Sequence, residues 1–206
     1  MLKFIYGHDL LLDPNLAKSM FRDRASQFAS RLKWEVRVDK YGLERDIYDT
    51  LDPLYIIVTG AHGEHLGSMR LLPTLGRTML NDHFRNFYSG PEIRSNKIWE
   101  CTRFCLKRGQ DQLTSLKLLA ASGRLMREFG LNELVGVFDG RMSRLYRKTG
   151  VAPELLGEGT YKGGRINVGR WPYSDTTYRF LLDASDVDPV EMELCVANSD
   201  LLQSLV

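Results

Sequence analysis

The sequence predicts an α/β protein: a single-domain α/β/α sandwich with helices on both faces of a central mixed sheet. Three observations predict it. Strand-like and helix-like segments alternate through the second half of the chain, which places helices against a sheet. The first half carries two apolar runs, "LYIIVTG" and "LGSMRLLP", joined by the turn "AHGEH"; they read as an antiparallel hairpin. The chain has 206 residues, 43% of them hydrophobic, enough for a core without disulfide or metal staples. No repeat, low-complexity tract or linker divides it, so one domain over residues 1–206 is expected.

The elements follow in order. "LKFIY" is aromatic and β-branched and meets Gly7, which predicts a strand. Asp13 is a natural N-cap and Pro14 suits the first helical position. Leu16, Met20, Phe21 and Phe28 then share a face, predicting a helix that ends near Leu32. Residues 35–53 are charged and aperiodic and read as a long loop. After the hairpin, residues 73–96 are irregular, with a short helix at 80–88. "KIWECTRFCL" is a strand, and "SLKLLAASGRLMREFGL" is a helix stopped by Gly130. "ELVGVFDG" is a buried strand and "RMSRLYRKTG" a short helix ended by Gly150. "APELLGEGTYKGGRINVGRW" and "TTYRFLLD" read as two or three more strands.

Composition removes several classes of function. The net charge is +2, from 28 Lys+Arg against 26 Asp+Glu, and no basic stripe or nucleic-acid motif stands out. Three cysteines, Cys101, Cys105 and Cys195, suggest a reducing compartment rather than a disulfide framework. His62 and His65 in "GAHGEH" are too few ligands for a metal site, so no metal is expected. There is no apolar run of about 18 residues and no secretory signal; a cytoplasmic protein without membrane partners is expected.

The residues that stand out are charges inside apolar strands. Arg70 lies in "SMRLL", and Glu100 and Arg103 lie in "WECTRF". Facing inward, an arginine needs a carboxylate, which Asp46, Asp49 or Glu100 can supply. By alternation Glu100 and Arg103 point to opposite faces unless the strand is distorted between them. Taken alone, these charges read first as a structural network or a wet edge and only second as a site. Arg24 and Phe28, four apart, share a helix face, with Trp34 six residues on.

The series Arg24, Phe28, Trp34, Asp46, Asp49, Arg70, Glu100, Arg103, in "RASQF", "LKWEV", "DIYD", "GSMRLLPT" and "WECTRF", resembles the acyl-homoserine-lactone synthases, the LuxI-type autoinducer synthases of quorum sensing. The resemblance covers at least residues 1–150 and is densest from 24 to 104. It implies a fold similar to the GCN5-related N-acetyltransferases and one autoinducer-synthase domain. It implies that the amine of S-adenosylmethionine attacks an acyl thioester on acyl carrier protein or coenzyme A. The acylated methionine moiety then closes to a lactone and expels 5′-methylthioadenosine. S-adenosylmethionine is a substrate, and no cofactor is implied.

By the same resemblance Glu100 is the candidate base, direct or through water, and Arg103 a carboxylate holder. Arg24, Asp46, Asp49 and Arg70 form the electrostatic cluster of the nucleotide site. Phe28 and Trp34 offer aromatic surface to the sulfonium or adenine. Thr102 stands where the family often has serine and keeps the hydroxyl. Phe104, Leu119, Met126, Val137 and Phe138 are candidates to line an acyl pocket or simply core; Phe138 and Asp139 stand where 3-oxo-selective enzymes carry threonine. Arg141, Arg144 and Lys148, with Arg147 beside them, make a basic helix face. That face is either solvated surface or a docking patch for acidic acyl carrier protein. Two other readings stay open. One is a plain coenzyme A-dependent N-acyltransferase, although "KRGQDQ" is a poor pyrophosphate turn. The other is a non-catalytic binding module.

Overall fold

The computed structural model describes residues 1–199. Seven strands form one mixed sheet: β1 (Leu2–Tyr6), β2 (Leu54–Thr59), β3 (His65–Pro73), β4 (Ile98–Leu106), β5 (Glu133–Asp139), β6 (Glu154–Tyr161) and β7 (Gly164–Pro172). Their order is β1-β2-β3-β4-β5-β7-β6. β1 runs antiparallel to β2, β4 parallel to β5, and β7 antiparallel to both β5 and β6. The packing divides the chain into two compact units. One holds Met1–Arg70, Arg103–Ser122 and the chain from Arg179; the other holds Leu71–Thr102 and Gly123–Tyr178.

In the first unit α1 (Gly7–Leu10) and α2 (Pro14–Ala25) follow β1. The Asp13 carboxylate accepts the Leu16 amide at 3.1 Å and Pro14 opens α2, as the sequence predicts. The helix buries Leu16, Ala17, Met20 and Phe21 against Tyr55 and Ile57. The expected single helix to Leu32 changes pitch: after Ala25 it widens into a π-helical turn over Ser26–Arg31, with Gln27 and Phe28 buried. The "long loop" also contains a short 3-10 turn, Ile47–Thr50, capped by Asp46 and Asp49 reciprocally.

In the second unit the two sheet faces have different covers. Glu100 pairs with Val135 in the parallel register, so both point to one face. There Val135 and Val168 pack with Leu80 of α3 (Met79–His83), Phe84 and Tyr88. On the other face Trp99 meets Phe129, just past α4 (Gln112–Glu128), at 4.9 Å. Phe138, Tyr146 of α5 (Gly140–Lys148) and Trp171 form an aromatic cluster on that same side, with Phe138 edge-on to Tyr146 at 5.4 Å.

Further stretches differ from the sequence reading. "TTYRFLLD" is not a strand but lies in α6 (Asp175–Ala184). Its threonines and aromatics carry strand propensity, but Ser174 accepts the Thr177 amide through Oγ and the Tyr178 amide through its carbonyl. Tyr178 and Leu181, three apart, are then buried while Phe180 is exposed. The second stretch is α7 (Pro189–Ala197), for which no element is predicted. Asp188 accepts the Val190 amide at 2.7 Å and Pro189 follows, the same Asp-Pro signal that starts α2.

Candidate active site

Three arginines and three carboxylates meet in the first unit, five of them nearly buried and Asp46 19% exposed at its side chain. Arg24 donates through Nε to Glu44 Oε2 at 2.6 Å, and through Nη1 and Nη2 to the two oxygens of Asp49 at 2.8 and 2.9 Å. Arg70 donates through Nη1 to Asp46 Oδ1 at 2.5 Å and Asp49 Oδ1 at 2.8 Å, and through Nη2 to Asp46 Oδ2 at 3.1 Å. Arg103 reaches Glu44 Oε1 through Nε and Nη2 at 3.2 and 3.0 Å and Asp46 Oδ2 through Nη2 at 2.7 Å. Tyr55 adds its hydroxyl to Asp49 at 2.6 Å. Arg24 is 1% exposed, and Arg70 and Glu44 are 0% exposed, so the charges neutralise one another rather than leaning on solvent.

The network sets the protonation states. Burial by itself works against a charged Arg24, but Asp49 and Glu44 more than reverse it, and its pKa lies above the ordinary value. Burial likewise works against the Asp49 carboxylate, yet Arg24 and Arg70 hold its pKa far below the usual carboxylate range. Burial, then the neighbouring Asp49 charge, pushes the Tyr55 phenol up.

Arg103 has φ +52°, a left-handed conformation unusual for a side chain of this size. The regular extended backbone of β4 is interrupted at that residue. Past it the backbone is clamped by Gln27, whose amide nitrogen donates to the Phe104 carbonyl at 2.8 Å while its oxygen accepts the Leu106 amide at 3.1 Å. The Arg103 guanidinium lies over the Phe28 ring at 5.4 Å, and Phe28 stacks on Trp34 at 5.2 Å and 20°. Phe28 is buried, whereas Trp34 is 39% exposed and presents indole surface to solvent.

Glu100 lies in the second unit and is 1% exposed. Its Oε2 accepts the Met79 amide at 3.0 Å and its Oε1 the Leu80 amide at 2.5 Å. Both of its oxygens thus hold backbone amides at the start of α3.

A family model described as autoinducer synthase matches residues 8–181. The chain belongs to the autoinducer synthase family. The synthase is 37% identical over 189 residues to the acyl-homoserine-lactone synthase of Rhizobium etli, with 88% of each chain covered. Among solved structures it is similar to TofI in a ternary complex with an inhibitor and MTA. There the TM-score is 0.72 at 27% identity, over 86% of this chain and 93% of that one. It also shares the fold of BjaI, a CoA-dependent acyl-homoserine lactone synthase with SAM and isopentyl-CoA, at TM-score 0.79, 20% identity, and 96% and 99% coverage. The fold is the expected one, shared with N-acetyltransferases, and the synthase is an acyltransferase of autoinducer synthesis.

Of the eight residues singled out in the sequence, seven converge in the first unit: Arg24, Phe28, Trp34, Asp46, Asp49, Arg70 and Arg103. Sequence reasoning missed Glu44 and Gln27. Glu44 accepts from both Arg24 and Arg103, and its place in the charged loop gives no local signal of that pairing. No sequence signal marks Gln27.

The acyl-pocket candidates fall in both units. Phe138 projects to the opposite face of the sheet, because it alternates with Val135 and Val137 along β5 and packs on Tyr146 and Trp171. Met126 is buried in α4, three residues before the Phe129 that covers Trp99. Phe104 is half-buried and belongs to the first unit. Val137 does share the Glu100 face. Arg141, Arg144, Arg147 and Lys148 are all exposed on α5. Cys101, Cys105 and Cys195 form no disulfide. Among the described residues no group of three or more His, Cys, Asp and Glu is placed to hold a metal, and no helix is long and apolar enough to cross a membrane.

Proposed function

We propose that the synthase transfers an acyl group from a thioester to the amine of S-adenosylmethionine at the Trp34–Phe28 platform. The methionine carboxylate then attacks the carbon beside the sulfonium, forming the lactone and expelling 5′-methylthioadenosine. The observation that carries this reading is the neutral network of Arg24, Arg70, Arg103, Glu44, Asp46 and Asp49. It fastens the Glu44–Thr50 segment and, through Arg103, the Phe28–Trp34 stack.

The chemistry needs little beyond positioning. An α-amine has an ordinary pKa of about 7.7–8.0, so a useful fraction is already nucleophilic near neutrality. A sulfonium carbon is electrophilic and the carboxylate already ionised, so lactonisation is a matter of alignment. The exposed Trp34 face suits a sulfonium or an adenine. Arg103 has Nε and Nη2 on Glu44 and Asp46, so its contribution is a fixed positive charge behind Phe28.

The acyl donor is carried by acidic acyl carrier protein, docked on the α5 face of Arg141, Arg144 and Lys148. BjaI, described as CoA-dependent, makes coenzyme A the competing donor. The test is to incubate the protein and S-adenosylmethionine with acyl thioesters of each carrier. Lactone with the carrier-protein donor is expected. Faster turnover with every coenzyme A donor contradicts the docking assignment.

A further inference from the structure

We infer that Glu100 is a positioning residue that caps the start of α3 rather than the group that receives the amine's proton. The inference rests on the functional reading above and deepens it.

The geometry is specific. Each carboxylate oxygen of Glu100 accepts one backbone N–H, from Met79 and from Leu80. These are the first two residues of α3, whose amides have no partner within the helix. Thr78 closes the next position, accepting the Asn81 amide through its hydroxyl at 3.3 Å. Glu100 thus supplies what α3 lacks: an anionic acceptor for two orphan amides, fixed to a strand. Leu80, buried against Val135 and Val168 on the Glu100 face, ties the same turn to the sheet.

This arrangement opposes a proton on Glu100. Protonating either oxygen weakens its acceptance of an amide and leaves a buried N–H poorly paired. The aminolysis balances without that step. The ammonium of S-adenosylmethionine first releases one proton to water. The amine lone pair attacks the thioester carbonyl, the C–N bond forms and the C–S bond breaks. The second proton leaves nitrogen, and the departing thiolate takes one up through solvent. What Glu100 contributes is the position of the Thr78–Leu80 turn.

The inference separates from a base role in the pH dependence of kcat at saturating S-adenosylmethionine and donor, read as methylthioadenosine release. For Glu100→Gln and Glu100→Asp, whatever the level of kcat, the acid limb keeps its position on the pH axis. Loss of the limb in the Gln variant with its retention in the Asp variant overturns the inference. A second measurement needs no turnover: hydrogen exchange at the Met79 and Leu80 amides. Their protection is expected to drop in Glu100→Gln, whose NH₂ cannot accept; unchanged protection also overturns the inference. Methylthioadenosine release by the parent protein tests the functional reading separately.

Discussion

Arg24 and Asp49 face each other fork to fork, Nη1 to Oδ1 at 2.8 Å and Nη2 to Oδ2 at 2.9 Å, with side chains 1% and 5% exposed. Such a pair is strong only while it is complete, since removing one member strands the other charge out of water. Asp49→Asn leaves both Arg24 and Arg70 short of charge. A loss of about 3–5 kcal/mol is expected, measured by urea unfolding. The exposed pair Arg165–Glu158 is the control: Arg165→Ala should leave the midpoint unchanged.

His65 makes stability depend on pH. It is buried, with Nδ1 2.8 Å from Asp23 and Nε2 2.9 Å from Ser68. Burial lowers its pKa, and Asp23 only partly offsets this. The folded value therefore lies below the unfolded one of about 6.5. Below that pH the unfolded chain binds a proton the folded chain refuses, so the contribution is full above about pH 6.5 and is lost as pH falls. Urea midpoints at pH 8 and pH 5.5 should differ more in the parent than in His65→Gln; equal slopes refute the assignment.

The aromatic stack divides binding from stability. Trp34→Ala removes half-exposed indole surface and should raise KM for S-adenosylmethionine severalfold with little change in the urea midpoint. Phe28→Ala empties a core position beneath Arg103 and should cost about 3–5 kcal/mol. Equal destabilisation by both variants, with KM unmoved in Trp34→Ala, argues that the stack is core alone.

The α5 face acts on association. Arg144→Glu should lower kcat/KM for an acyl carrier protein donor several-fold at low salt, with the deficit shrinking as salt screens the surface. Turnover with an acyl-coenzyme A donor should not respond. An unchanged carrier-protein rate at low salt removes the docking patch.

Gly136 sets how closely β5 approaches β4. A Cβ there would lie 2.7 Å from the Cys101 carbonyl oxygen, next to Glu100 in the chain. Gly136→Ala should cost about 1–3 kcal/mol as an overpacking change and lower kcat by displacing the Glu100 backbone. Thermal unfolding and methylthioadenosine release at saturating substrate check the two effects.

What was legible in the sequence follows from what each signal measures. The Asp13–Pro14 start of α2, the hairpin strands and the burial of Arg70 rest on local pattern, and they hold in the structure. "TTYRFLLD" failed because residue preference pointed to a strand while Ser174 and the Tyr178–Leu181 spacing pointed to a helix. Asp46 and Asp49 are legible as carboxylates for inward arginines, and they pair with Arg70. The share of Glu44 is not legible, because it depends on the seating of Arg103, a left-handed residue in mid-strand. The aromatic cluster of Phe138 with Tyr146 and Trp171 joins residues far apart in the chain, so no local pattern marks it.

The most direct measurement is the product stoichiometry of the purified protein given S-adenosylmethionine and an acyl thioester. Equal amounts of acyl-homoserine lactone and 5′-methylthioadenosine, one of each per donor thiol released, are what this account predicts. Free donor thiol accompanied by an N-acylated product and no methylthioadenosine would contradict it, and would make the protein a plain N-acyltransferase.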